Sequence, residues 1–192
     1  MNIRWLLKRT VQAIALALVL PAALTSGFGR RRELYTIFSQ LLASAPGLPG
    51  SFLRAAYYRL TLRQCSIDIA VGFGSFFVHP ETTVGKFVSI GAYCVVGRAQ
   101  IGTCTQIASH VEIPSGRHQH DRDVDGRLHG GSIYGHTVIG EHCWIGASVV
   151  VLASIGDRST VGAGSVVVKD IPADVTAVGN PARVLDGPKI SA

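Results

Sequence analysis

Chemistry concentrates between Ile113 and Ile139, where the chain reads PSGRHQHDRDVDGRLHGGSIYGHT. His118 and His120 stand two residues apart there, followed by Asp121 and Asp123. An imidazole titrates near neutral pH, so it can take a proton from a hydroxyl and give it back. Asp121 or Asp123 could orient such an imidazole and stabilise its protonated form. Each of these side chains would serve equally well as a solvated loop group, and both readings stay open. A metal site fits less well. His110, His118, His120, His129, His136 and His142 contain no His-x4-His pair, and Cys65, Cys94, Cys104 and Cys143 no Cys-x-x-Cys.

Such side chains need rigid support, and the flanking sequence repeats in sixes. Aliphatic residues recur at Val78, Val84, Ile90 and Val96, then at Ile101, Ile107 and Ile113. After the interruption they return at Ile139, Ile145 and Val151, then at Ile155, Val161 and Val167. Two positions before most of them stands a small residue, among them Thr82, Cys94, Ala99, Thr105, Thr137, Cys143, Ser159 and Ser165. A period of six fits neither an amphipathic helix nor a simple strand alternation. Two inward positions per hexapeptide, one bulky and one small, predict stacked coils with three short strands each, about eighteen residues per coil. An ordinary β-sandwich rich in Val and Gly would not keep two columns in register. Gly often follows the aliphatic residue, as a turn that a Cβ would strain requires. Register slips by one residue before Ile101 and by two before Ile155, to be absorbed at coil corners. Cys94 and Cys143 fall in the small column as compact apolar fillers, with no disulfide framework and hence a reducing compartment. The fold expected is mainly β, a parallel β-helix over residues 64–180 interrupted by a loop at 114–138, with a tail at 181–192.

Four segments make a further case: Cys143-Trp144-Ile145-Gly146-Ala147, Val161-Gly162-Ala163-Gly164-Ser165-Val166-Val167, Lys169-Asp170-Ile171-Pro172 and Gly179-Asn180-Pro181-Ala182-Arg183. They resemble the hexapeptide-repeat acetyltransferases, above all the sugar branch that includes the maltose, galactoside and exopolysaccharide enzymes. The resemblance runs from Gly72 to Arg183. It implies a left-handed β-helix, a homotrimer, and acetyl-CoA held in the cleft between neighbouring β-helices. The implied reaction is acetyl transfer to a hydroxyl of a sugar or of a polysaccharide or lipid-linked glycan precursor. In that family the general base is a histidine early in the excursion, five residues after the last aliphatic position, which gives His118. The Ser-Gly-x-x-Gln-His pattern of the exopolysaccharide branch, here Ser115 to His120, gives His120 instead, with Asp121 beside it. By the same resemblance the Ala147 N–H meets the oxyanion and Trp144 borders the thioester, with plain packing as the rival role for Trp144. Gly146, Ala163 and Gly164 line the pantetheine, and Lys169 and Arg183 lie near the CoA phosphates. One departure matters: Phe87 to Arg98, where the galactoside and maltose enzymes hold the sugar with Asn and Asp, has neither. Two rival readings of the same fold are a γ-type carbonic anhydrase using zinc and a scaffold without activity.

The first 63 residues differ in character. They carry nine basic residues against Glu33 alone, whereas the remainder has nine basic and eleven acidic. No nucleic-acid-binding signature accompanies this charge, and an anionic membrane surface suits it better. Val11 to Leu24 is almost wholly apolar between a basic start and Arg30-Arg31-Arg32. This resembles a secretory signal, but the three arginines and the use of a cytoplasmic acyl donor argue for retention. A fourteen-residue helix would reach about 21 Å, short of the ~30 Å hydrocarbon layer. The expectation is an interfacial helix, with residues 1–45 on the inner-membrane surface and the protein cytoplasmic and peripheral. Capping of the first coil is the alternative. Further helices are expected at 34–45 and, after a breaker at Pro46–Gly50, from Ser51 as cap to Arg63.

Overall fold

Each hexapeptide makes one strand of two or three residues and one corner. In the computed structural model, residues 3–116, 120–122, 125, 127–132 and 135–185 are described, with backbone alone for His120–Arg122 and Leu128–Ser132. The first coil is β1 (Gln64–Cys65), β2 (Ala70–Val71) and β3 (Phe76–Phe77), and the second β4 (Thr83–Val84), β5 (Ser89–Ile90) and β6 (Val95–Val96). The third is β7 (Ala99–Ile101), β8 (Gln106–Ile107) and β9 (Glu112–Ile113). The chain then leaves as β10 (His120–Arg122) and β11 (Leu128–Ser132). It resumes with β12 (Thr137–Ile139), β13 (Trp144–Ile145), β14 (Val150–Val151), β15 (Thr160–Val161), β16 (Val166–Val167), β17 (Thr176–Val178) and β18 (Arg183–Val184).

Stacking of successive coils generates three sheets. Sheet A runs β1-β4-β7-β12, sheet B runs β2-β5-β8-β13-β15-β17 and closes with β18, and sheet C runs β3-β6-β9-β14-β16. All coil-to-coil pairs are parallel, while β18 returns antiparallel on β17. Lone bridges at Ile139–Ile155 and Ile155–Ile171 continue face A. Inward residues therefore sit above their equivalents: Ile90 on Ile107, Ile107 on Ile145, Ile145 on Val161. The two slips change the spacing between coils and leave this register intact.

Three details differ from the sequence reading. Phe77, and not Val78, fills the first coil: Phe77 is 1% exposed, pairs with Val96, and meets the Tyr58 ring edge-on at 4.7 Å. The glycines after the aliphatic residues do not hold left-handed turns. A Cβ on Gly91 would lie 2.5 Å from the Ala108 carbonyl carbon of the next coil, so close stacking of coils is what excludes it. The left-handed positions come two residues later and are filled by side chains, as at Tyr93 (φ 57°), His110 (φ 60°) and Ser148 (φ 59°). Finally, the small column is more than filler. Ser75 Oγ donates to Gly91 O at 2.6 Å, Thr105 Oγ1 to Gly140 O at 2.7 Å and Cys143 Sγ to Gly156 O at 3.2 Å, each satisfying a corner carbonyl of the next coil. Burial raises the pKa of both Cys94 and Cys143, so both stay protonated donors.

Three helices precede the coils: α1 (Ile3–Thr25), α2 (Arg32–Ala43) and α3 (Gly47–Thr61). α1 is longer than its apolar run, 23 residues, and is by length and composition able to cross a membrane. α3 starts before Ser51. Pro49 sits in its first turn, where no N–H is needed, so the Pro/Gly stretch opens the helix and does not break it. Ser51 instead accepts from Val71 N at 3.3 Å. α3 is thereby the cap on the open first coil. The Tyr58 hydroxyl accepts from Phe77 N at 3.3 Å, and Arg54 Nε donates to Val71 O at 3.0 Å. Arg54 is 1% exposed, and its Nη1 also donates to Leu42 O at 2.9 Å and Ala45 O at 2.7 Å, closing the carbonyl end of α2. Burial lowers its pKa against the pull of Tyr58, and four carbonyl contacts hold the cation there.

Candidate functional site

The excursion after Ile113 is rooted by tight backbone contacts. Ser115 is buried; its Oγ accepts from Arg98 N at 2.9 Å, and its carbonyl accepts from Gly135 N at 2.7 Å. The two legs cross at Gly116 (φ 85°), where a Cβ would come within 3.0 Å of Gly135 Cα. Beyond the crossing, β10 and β11 pair antiparallel, His120 opposite Ser132 and Arg122 opposite Leu128. The segment read as a loop thus contains a β-hairpin. His118 and Asp123 lie outside the described residues, and of His120 and Asp121 the backbone alone is described, in β10. The hairpin leaves the coil where sheet C passes into sheet A, since β9 belongs to C and β12 to A.

Trp144 and Ala147 stand elsewhere on the coil. Trp144 points outward from sheet B, 48% exposed, with its N–H on Ser159 O at 3.0 Å. Ala147 opens the corner between sheets B and C. At that corner the equivalent residues of successive coils are Ala92, Ser109, Ala147 and Ala163, as the pairings of β5, β8, β13 and β15 require. The Ala92 N–H is met by Ser109 Oγ of the next coil at 3.1 Å. Ala163 has no hydroxyl to offer the Ala147 N–H; Ala147 is an exposed residue, and its N–H donates to no group among the described residues. Such an open N–H on a rigid corner can meet a developing oxyanion.

The other predicted positions are placed as follows. Gly146 is buried, and a Cβ there would lie 2.5 Å from Ala163 N, so stacking of coils by itself requires glycine. Ala163 and Gly164 are exposed at the same corner one coil on; Gly164 N donates to Ala147 O at 2.8 Å. With φ 69° and nothing within 4 Å of a Cβ, Gly164 leaves the surface beside Ala147 bare. Lys169 is exposed just past β16, at the C–A corner that also roots the hairpin. Arg183 is exposed on β18, at the far end of sheet B, with Nη1 on Ala182 O at 2.9 Å. Trp144, Gly146, Ala147, Ala163 and Gly164 therefore share one edge of the coil, and the hairpin root does not.

Two features were not singled out from sequence. Counting three residues past each inward aliphatic of sheet B gives Tyr93, His110, Ser148 and Gly164, a ladder up the B–C corner. Tyr93 stacks on His110 at 5.3 Å and meets Phe73 edge-on at 5.6 Å, below the Ala147 corner. The second is His79, 7% exposed at the C–A corner. It lines a hollow of about 190 Å³ with Glu112, Pro114 and Ser115, under the hairpin root. Burial pushes its pKa down against the pull of Glu81, so it is neutral at pH 7. No motif marks it, because it lies apart from the other histidines. Among the described residues no three His, Cys, Asp or Glu side chains gather as a metal-holding group.

Residues 136–169 match the model for the hexapeptide repeat of succinyl-transferase. The galactoside O-acetyltransferase of Escherichia coli (strain K12) is 48% identical over 58 residues, 29% of this chain and 29% of that protein. The bifunctional protein GlmU of Prochlorococcus marinus is 32% identical over 126 residues, 58% of this chain and 26% of that protein. The chain thus spans about a third or less of the length of these curated relatives. A maltose O-acetyltransferase structure from Clostridium difficile 630 superposes with a TM-score of 0.69 at 26% identity, covering 88% of this chain and 91% of that one. The fold is a hexapeptide-repeat parallel β-helix, as the resemblance implied, and its solved and curated likenesses are acetyltransferases. Its likeness is to the galactoside and maltose O-acetyltransferases, over short, high-identity stretches in the first and nearly the whole chain in the second.

Proposed function

We propose that this chain is an acetyl-CoA-dependent O-acetyltransferase whose acceptor is a sugar hydroxyl, borne on a polysaccharide or lipid-linked glycan precursor. The observation that carries this reading is the Ala147 N–H, without a partner among the described residues, beside the half-exposed Trp144, on a coil entered directly from a histidine-bearing hairpin. The imidazole of His118 or His120 takes the acceptor hydroxyl proton as its oxygen attacks the thioester carbonyl, with Asp121 as the carboxylate that steadies the cation. A C–O bond forms, and the carbonyl oxygen, now anionic, is met by the Ala147 N–H. Collapse breaks the C–S bond, and the departing sulfur takes the proton from the imidazolium to leave as the CoA thiol. The bare edge at Ala163 and Gly164 suits the pantetheine arm, and Lys169 and Arg183 suit the phosphates.

The site is completed between copies of the chain in a homotrimer. In a triangular coil, sheet B faces away from the C–A corner where the hairpin is rooted, so a neighbour's hairpin is better placed against Trp144 and Ala147. The two solved and curated sugar enzymes support a sugar acceptor, while the lack of Asn and Asp across Phe87 to Arg98 supports a different grip on it.

Release of free CoA thiol from acetyl-CoA over a panel of sugar acceptors tests the reading, with His118→Ala and His120→Ala alongside. Turnover should fall by roughly 10²- to 10⁴-fold in one variant only, which identifies the base. Neither turnover nor CoA binding by calorimetry would overturn the proposal and leave a scaffold.

A further inference from the structure

Among the described residues, the outer face of α1 is exposed. Gln12, Ala15, Val19 and Ala23 are buried, and on the opposite stripe Ile3, Leu7, Ile14, Leu18 and Leu24 are 80%, 65%, 54%, 66% and 57% exposed. The spacing of the two sets is that of one amphipathic helix with an apolar outer face. We infer that α1 is a monotopic anchor that lies flat on an anionic lipid bilayer, with this stripe in the acyl boundary and the β-helix standing off the surface.

Two observations select this occupant and this orientation. First, the polar edge of α1 is tied to the coil. Lys8 Nζ lies 2.8 Å from Asp68 Oδ1, Arg9 Nη2 3.1 Å from Asp68 Oδ2, and Gln12 Nε2 donates to Ile67 O at 3.2 Å. Burial pushes the Asp68 carboxyl up, but hydrogen bonds from Lys8, Gln12 and Arg9 outweigh it and hold the group at about 2, so the clamp is ionised near neutrality. A spanning α1 would have to break this clamp and carry Gln12 and two cations into hydrocarbon. Second, the charge suits anionic headgroups. Leaving aside the buried Arg54, the other eight basic residues of positions 1–63 outnumber Glu33 together with Asp68 and Glu81, of which Asp68 pairs with Lys8 and Arg9 and Glu81 with Arg32. Arg30 and Arg31 are exposed just past the end of the helix.

Co-sedimentation of the full chain with vesicles tests this directly. Phosphatidylcholine vesicles containing phosphatidylglycerol should bind it, pure phosphatidylcholine vesicles far less, and added salt should weaken the binding. The double variant Ile14→Asp, Leu18→Asp should partition at least about ten-fold less, with unchanged thermal midpoint and unchanged CoA release, because both side chains are already in water. Arg30→Gln with Arg31→Gln should lower binding to the anionic vesicles only. A folded wild-type chain that binds neither vesicle would overturn the inference, as would variants that bind as wild type does. So would an aspartate pair that changes the sedimentation mass in lipid-free solution, which would make the stripe a contact between copies. These readouts are independent of acetyl transfer, so failure of one proposal is separable from failure of the other.

Discussion

The Ala147 backbone is the residue-scale feature on which the proposed chemistry turns. Its N–H is open because Ala163 stands where a serine would close the corner, as Ser109 closes the corner at Ala92. Ser148, next along, is left-handed at φ 59°, and corners of that form accept proline at the preceding position. Ala147→Pro therefore deletes one donor without breaking any described hydrogen bond. It should lower kcat by about 10²- to 10³-fold while the melting temperature stays within a few degrees. Unchanged kcat would remove Ala147 from the mechanism. At this scale the sequence is half legible. The sizes of Thr105, Cys143 and Ser159 predict an inward column, but not the hydrogen bonds they make to the next coil, because these depend on coil stacking. The glycine pattern is likewise visible while its cause, a stacking of coils that would bring a Cβ at Gly91 or Gly146 to 2.5 Å from the next coil's backbone, is not.

At the scale of elements, α3 and the hairpin decide what the coil can do. The exposed edge of β2 and β3 would otherwise present unpaired backbone, and α3 closes it through Ser51, Arg54 and Tyr58. Arg54→Met keeps the bulk and strips the donors from four carbonyls, so it should cost about 3 kcal/mol in urea unfolding and leave the far coils' chemistry intact. A loss under 1 kcal/mol would show that water can replace the guanidinium there. Helix boundaries were the least legible part: Pro46 to Gly50 reads as a breaker because Pro and Gly usually are, and only tertiary packing shows Pro49 inside a first turn. The hairpin strands were invisible for a related reason. β10 and β11 have no alternation of apolar and polar residues, and pair through backbone across the Gly116–Gly135 crossing.

For the whole molecule, the triangular coil turns sequence order into position. The aliphatic column predicts three faces, and the faces place the hairpin root at the C–A corner, away from Trp144 on sheet B. The proposal of a site split between neighbouring copies rests on that placement, which the period of six makes legible once the excursion is assigned to its corner. Complementation measures it most directly. The double variant His118→Ala, His120→Ala is mixed in equal amounts with Ala147→Pro, the chains are unfolded and refolded together, and CoA release is followed. Each variant alone should be nearly inactive. Random trimers should regain about a quarter of wild-type turnover, since one junction in four pairs an intact hairpin with an intact Ala147 corner. A mixture no more active than its parts would contradict an acetyl-transfer site shared between copies of this chain.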